Sequence, residues 1–406
     1  MADSGMTPMP PSLRENSRKV SIVGVGESDY ARDYKAERQR PEGWEAPIID
    51  DLCKLAFDRA VADAGIDPAS IDALAMHYTF AGPEPEEMAR QLGISPEKAW
   101  VNGHIFAGPL PNVAGRIKQG EVKTVAMLFG IGNRSSGRQF GGNTYSAGMA
   151  GPSSYYYYHP WGWSSQAAHW ALMATRYFEK FGKREEDLGH VAMTVRRHAG
   201  TNDNAIMRAP FTIDEYIASR YIVRPLHLYD ICLVNDGAVC LIVTAADRAR
   251  DMAKVPVDVA GWSESWIRQD KIRQMVEDRL RPQLQEAGRE ALAMAGLSLD
   301  DIGHFEGYDV SSIHLVNQLE GFGFTPDGTG IDFALDGQMT HGGRIPTNVA
   351  GGNLSATYMQ GWGQVPEIVR QLRGEGGDRQ IEGLHASLSA MVQTDTVHPV
   401  IYTRGE

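Results

Sequence analysis

Short apolar runs and amphipathic stretches take turns along this chain. Residues 20–25 (VSIVGV) form a run of strand type, closed by Gly24 and Gly26. Residues 48–64 carry Ile49, Leu52, Leu55, Ala56 and Val61 at helical spacing, and Gly65 stops them. Asp67, Pro68, Ala69 and Ser70 open a turn before a second candidate strand at 74–78. Further on, 122–129 reads as a buried strand, 165–181 as a helix ended by Gly182, 184–199 as another helix, and 238–244 as an apolar strand. Strands alternating with helices in this way predict an α/β protein.

Part of the pattern returns. VDVAG at 257–261, followed by Ser263, Glu264 and Ser265, echoes Ile22 to Gly24 with Glu27 and Ser28 beyond. Ala295, Gly296 and Leu297, followed by Ile302, echo Ala64, Gly65 and Ile66, followed by Ile71. The spacing from Ala64 to Ala295 equals that from Ile71 to Ile302, and that from Gly24 to Gly261 is slightly longer. Such an echo predicts two similar α/β halves. The expected division is a disordered tail over 1–18, an N-terminal half over 19–253 and a C-terminal half over 254–406. The first half carries an aromatic, glycine-rich insert near 134–163, read as a cap or interface loop.

One stretch, 340–372 (THGGRIPTNVAGGNLSATYMQGWGQVPEIVRQL), crowds turn chemistry, polar side chains and a helix start together. Gly342, Gly343, Gly351 and Gly352 allow tight turns, with Asn348, Ser355, Thr357 and Tyr358 around them. Trp362, Val365, Val369 and Leu372 predict a helix leading away, with Pro366 either kinking it or marking its first turn.

A chain of 406 residues exceeds one small core, and 42% hydrophobic with 22% charged residues is an ordinary globular composition. The net charge of −12 argues against nucleic acid or an anionic membrane as partner. Three cysteines, Cys53, Cys232 and Cys240, make no disulfide framework, and a reduced, cytoplasmic setting is expected. No apolar run is long enough to span a bilayer. Metal and phosphoryl-transfer motifs are missing, so no metal is expected in this chain. Cys53 and Cys240 read as inert core thiols, while Cys232 sits before a polar turn. His104, His159, His169, His341 and His398 are scattered. Two tyrosines remain, Tyr308 after a candidate strand and Tyr358 in the glycine-rich stretch, and both packing and chemistry stay open for them.

Taken together, the duplicated halves, Asn348-x-x-Gly351-Gly352, 371–374 (QLRG), 23–28 (VGVGES), 64–66 (AGI), 235–238 (NDGA) and 376–380 (GGDRQ) resemble the thiolase superfamily. The nearest branch is that of lipid-transfer proteins and sterol carrier protein X. The resemblance covers nearly the whole chain from about Val20 and implies a duplicated αβαβα layered fold. Thiolases place a histidine after Asn-x-x-Gly-Gly where this chain has Tyr358, and an asparagine or histidine where it has Tyr308. Their nucleophilic cysteine near 105–106 and their second cysteine near 387–389 are absent. Tyrosines at these two positions resemble the steroid side-chain-cleaving aldolases of this branch.

That resemblance implies retro-aldol cleavage of a β-hydroxyacyl-CoA to a ketone and a short acyl-CoA such as propionyl-CoA. Tyr358 would be the base and Tyr308 the proton donor, or the reverse. A phenol acting as base needs a cation or helix N-terminal amides to lower its pKa. His341, Asn348 and the amides of Gly351 and Gly352 are the candidates to polarise the thioester. No cofactor is implied beyond the CoA of the substrate. A homodimer joined by a small OB-fold, zinc-ribbon acyl-CoA-binding protein, a heterotetramer with zinc in the partner, is the implied assembly. The rival readings are an acyltransferase or thiolase with an atypical nucleophile such as Cys232, and a non-catalytic acyl-CoA-binding subunit.

Overall fold

The computed structural model describes residues 15–77, 83–101, 109–137, 159–161, 163, 165–266, 280–393 and 396–405. Its strands are β1 (Val20–Glu27), β2 (Ala73–Met76), β3 (Ala99–Val101), β4 (Thr124–Gly132), β5 (Tyr221–Val223), β6 (Leu226–His227), β7 (Asp236–Ala245), β8 (Val257–Trp262), β9 (Ser265–Trp266), β10 (His304–Gly307), β11 (Ala386–Val392) and β12 (Thr396–Arg404). All but β5 and β6 join one mixed sheet in the order β10-β11-β12-β8-β1-β7-β4-β2-β3, with β9 beside β12.

Read outward from the β1–β8 seam, the two sides repeat one another. β1 pairs antiparallel with β7, β7 antiparallel with β4, and β4 parallel with β2. On the other side β8 pairs antiparallel with β12, β12 antiparallel with β11, and β11 parallel with β10. Even the last step matches, because β2 pairs parallel with β3 and Phe305 of β10 makes a parallel bridge to Thr347. The echoed glycines explain the repeat physically. A Cβ on Gly24 would strike Ala60 and Ala64 of the Ile49–Ala64 helix, and one on Gly261 would strike Ala291 and Ala295 of the Leu280–Ala295 helix. Each half therefore seats a long helix directly on its opening strand.

Alternation along the strands sets the layers. Val125, Met127, Phe129 and Ile131 of β4 point into an inner core shared with the Pro109–Lys118 and Gln364–Arg373 helices. Ala126 and Leu128 point the other way, onto the Ile49–Ala64 helix. In the second half Val400 and Tyr402 of β12 face the same inner core, while Val397 and Ile401 face the Leu280–Ala295 and Ser312–Phe322 helices. The result is the αβαβα stack that the resemblance implies. Pro366 does not kink its helix, because it lies in the first turn of Gln364–Arg373, where no backbone donor is missed.

Two expectations need correction or limits. Residues 15–18 are not a tail, since the Ser17 hydroxyl donates to Ala260 O at 2.6 Å and Arg18 N to Val259 O at 2.9 Å. Of the aromatic insert, 138–158, 162 and 164 lie outside the described residues, as do 1–14 and the 102–108 segment with His104. Among the described residues, no helix is long and apolar enough to cross a membrane.

Candidate active site

Tyr308 follows the last residue of β10, and Tyr358 follows a single π-turn over Gly352–Ala356. Their hydroxyls meet at 3.1 Å. Tyr308 is buried and Tyr358 half-buried, so the pair stands at the edge of the core. Neither residue lies inside a helix or strand, and each backbone is held by an amide side chain. Gln318 accepts from Tyr308 N at 3.0 Å and donates to Tyr308 O at 2.9 Å. Asn235 accepts from Tyr358 N at 2.7 Å and donates to the Thr357 hydroxyl at 2.9 Å.

Burial pushes the Tyr308 phenol well above its ordinary value, and Tyr358, Cys232 and Asp309 push the same way. This corrects the expectation of a cation or helix terminus lowering it. Tyr308 is thus kept as a neutral hydroxyl.

Asp309 ties the two tyrosine segments together. Its Oδ1 accepts from Asn353 N at 2.8 Å and Asn353 Nδ2 at 3.0 Å, and its Oδ2 from Leu354 N at 3.2 Å. The carboxyl fills the space beside Gly352, where φ is +50° and any Cβ would collide with it. Gly351, at φ +104°, has Ala199 where its Cβ would be. Burial raises the Asp309 carboxyl to about 7 against the pull of its N–H donors.

Asn348 and His341 do not meet the tyrosine hydroxyls. The Asn348 amide is spent on Gly307, accepting from its N at 2.8 Å and donating to its O at 3.1 Å. It braces the end of β10. Its own φ of +50° suits an asparagine. The His341 ring stands at right angles to His198, with centroids 5.1 Å apart. His198 in turn contacts Thr347 O through Nδ1 at 3.1 Å, and burial with His341 nearby lowers it to about 4. His341 is itself lowered by burial. A cavity lined by Asn202, Glu306, Gly352, Gln364, Glu367 and Arg370, among others, lies by the same loop, and neither tyrosine lines it.

The thiols are poor nucleophiles. Cys53 and Cys240 are enclosed in the core, and burial raises both. Cys232 is half-buried next to the tyrosines, and burial and the Asp309 carboxylate raise its thiol too. Ser387, His304 and Glu306 line up like a serine relay at 3.2 and 3.1 Å, but all three are fully buried in the sheet. They form a core network. No cluster of metal-ligating side chains occurs among the described residues. Sequence reasoning passed over Asn235, Gln318 and Asp309. Gln318 had a signal, a polar residue among the apolar Ile313, Leu315, Val316 and Leu319 of its helix.

The layered, duplicated fold is that of a thiolase-superfamily protein, and two phenols meet at the edge of its core. Residues 265–396 match the family described as Thiolase C-terminal domain-like. A steroid side-chain-cleaving aldolase of Thermomonospora curvata is 32% identical over 374 residues, 87% of this chain and 90% of the relative. The 17-hydroxy-3-oxo-4-pregnene-20-carboxyl-CoA lyase of Mycobacterium tuberculosis is 32% identical over 88% of this chain and 92% of its own. The solved Ltp2-ChsH2(DUF35) aldolase superposes with a TM-score of 0.80 at 28% identity, covering 96% of this chain and 99% of that one. The chain belongs to the thiolase superfamily, in the branch of the steroid side-chain-cleaving aldolases.

Proposed function

We propose that this protein is a carbon–carbon lyase that cleaves a β-hydroxyacyl-CoA of the steroid side-chain type by a retro-aldol reaction. The observation that carries the reading is the 3.1 Å contact between the Tyr308 and Tyr358 hydroxyls. Tyr358, in its phenolate form, takes the proton of the β-hydroxyl as the bond between the α and β carbons breaks. The electron pair of that bond passes to the α carbon as the thioester enolate, and the β carbon leaves as a ketone. Tyr308, held neutral by burial, gives a proton to the α carbon and releases a short acyl-CoA such as propionyl-CoA. The proton that Tyr358 took passes across the 3.1 Å contact to Tyr308, which restores both groups. No acyl-enzyme forms, so raised, enclosed thiols are no obstacle. Gly352 opens the turn before Tyr358, where its amide is a candidate to stabilise the enolate oxygen, whereas the expected Gly351 N–H is already spent on Asn348 O at 2.9 Å.

The same reading extends to the assembly. The protein acts as a homodimer with a small OB-fold, zinc-ribbon acyl-CoA-binding subunit on each chain, a heterotetramer in which zinc belongs to the partner. Support comes from the two-component name of the similar Ltp2-ChsH2(DUF35) aldolase and from the net charge of −12, which leaves the anionic CoA to be met by a second chain. The test is Tyr358→Phe and Tyr308→Phe, assayed for ketone release from a β-hydroxyacyl-CoA in the presence of the co-purified partner. Each should lose about 10²- to 10⁴-fold in kcat with an unchanged thermal midpoint. Full turnover in either variant removes the mechanism, and binding without turnover in the wild type would favour an acyl-CoA-binding subunit instead.

A further inference from the structure

Resting on the tyrosine reading, we infer that Asn235 and Gln318 are positioning residues, an amide clamp on each phenol that sets the distance between the two hydroxyls. Tyr308 and Tyr358 come from segments 50 positions apart, and no ladder hydrogen bond fixes either one. β10 ends at Gly307, paired with Ala390, so the peptide of Tyr308 has run out of strand partners. Gln318 takes over both of them, as a neighbouring strand would, from inside the Ser312–Phe322 helix. It is fully buried, and its amide nitrogen also donates to His314 O at 3.0 Å, which fixes its orientation.

Asn235 does the same for the other phenol from the residue before β7. Its oxygen takes the N–H of Tyr358, and its nitrogen divides between the Thr357 hydroxyl and Asp236 O at 3.0 Å. Thr357 is extended, at φ −166° and ψ 143°, so two successive residues are read by one side chain. The clamps therefore hang the tyrosines from two different elements, the central strand β7 and an outer helix. A displacement of about 1 Å in such a pair can cost on the order of 10²-fold in rate. Neither amide touches the phenol oxygens, so each acts through the tyrosine it holds.

The test uses near-isosteric replacements in the complete complex. Asn235→Leu and Gln318→Met should each lower kcat about a hundredfold with KM within about threefold. Asn235→Asp and Gln318→Glu keep the acceptor for the tyrosine N–H and should recover at least about tenfold of that loss. In a Tyr358→Phe background, Asn235→Leu should cost less than about threefold more, because the group it positions is already gone. An equal loss in both backgrounds, a rise in KM with kcat intact, or no recovery in the acidic variants would overturn the clamps. If a Leu or Met variant does not fold, Asn235→Ala and Gln318→Ala, which also remove the acceptor, decide, since a kcat within about threefold of wild type in both overturns the clamps. Full turnover in Tyr358→Phe alone would sink the tyrosine reading instead, so the two failures are distinguishable.

Discussion

Asp309 gives a prediction whose sign and size both come from its surroundings. The carboxyl is enclosed between the end of β10 and the turn that leads to Tyr358, and burial holds it at about 7. In the unfolded chain an aspartate titrates at about 3.9. Below that value both states are protonated, and Asp309 sets no pH dependence. As pH rises from about 4 to about 7, the unfolded chain gives up the proton while the folded one keeps it, so folding loses stability. A gap of about three pH units corresponds to roughly 4 kcal/mol, an upper figure that relaxation of the site would reduce. Asp309→Asn removes the titration. It also turns one N–H donor toward the turn in place of an acceptor, which costs roughly 1–3 kcal/mol at every pH. Denaturant unfolding of both proteins at several pH values between 5 and 8 should thus find the variant weaker at low pH. Its deficit should shrink, and turn into an advantage, toward pH 8. A deficit that stays constant across this range would refute the argument, and would mean that the three N–H donors at Asn353 and Leu354 keep the carboxylate ionised.

Three more expectations follow from the same geometry. Cys232→Ser should keep kcat within about threefold, because a raised, half-buried thiol supplies no nucleophile; a loss of turnover with an intact thermal midpoint would instead favour the acyltransferase. Alkylating reagents are the poorer test, since an adduct on Cys232 would crowd Tyr308. Gly24→Ala and Gly261→Ala should each destabilise the fold by roughly 1–3 kcal/mol, since both glycines take the backbone of a long helix directly against their strand. Similar shifts in unfolding midpoint would support our proposal that β1 and β8 open two copies of one unit, and a neutral result at either site would count against it. His314, buried with Nε2 on Val392 O at 2.9 Å, is lowered to about 4 by burial. Its imidazole should stay neutral by carbon NMR down to about that pH, and a midpoint near the ordinary 6.5 would show the ring to be wetter than its packing implies.

What the sequence made legible was whatever rests on periodicity and on steric exclusion. The echo of Gly24 in Gly261 was readable because close helix–strand contact admits no side chain, and that constraint leaves its mark on residue identity. Helix ends at Gly65 and Gly182 were readable for a related reason, since both take left-handed backbone that glycine adopts without strain. The site was legible only in part. Tyr308 and Tyr358 stood out through their resemblance to thiolase positions, yet the groups that hold them come from β7's approach and from a distant helix, and no local spacing encodes such partners. Asn348 illustrates the limit most directly. An asparagine beside two glycines reads as a ligand-facing amide, but whether its amide faces a substrate or a backbone depends on where β10 ends, a tertiary fact. The direction of the Tyr308 pKa has the same origin. A sequence can show that a cation is needed to make a phenol basic, but only the packing of Cys232, Asp309 and Tyr358 around it reveals that this phenol is driven toward its neutral form. Burial therefore supports the proposed division of roles, in which the less buried Tyr358 takes the proton.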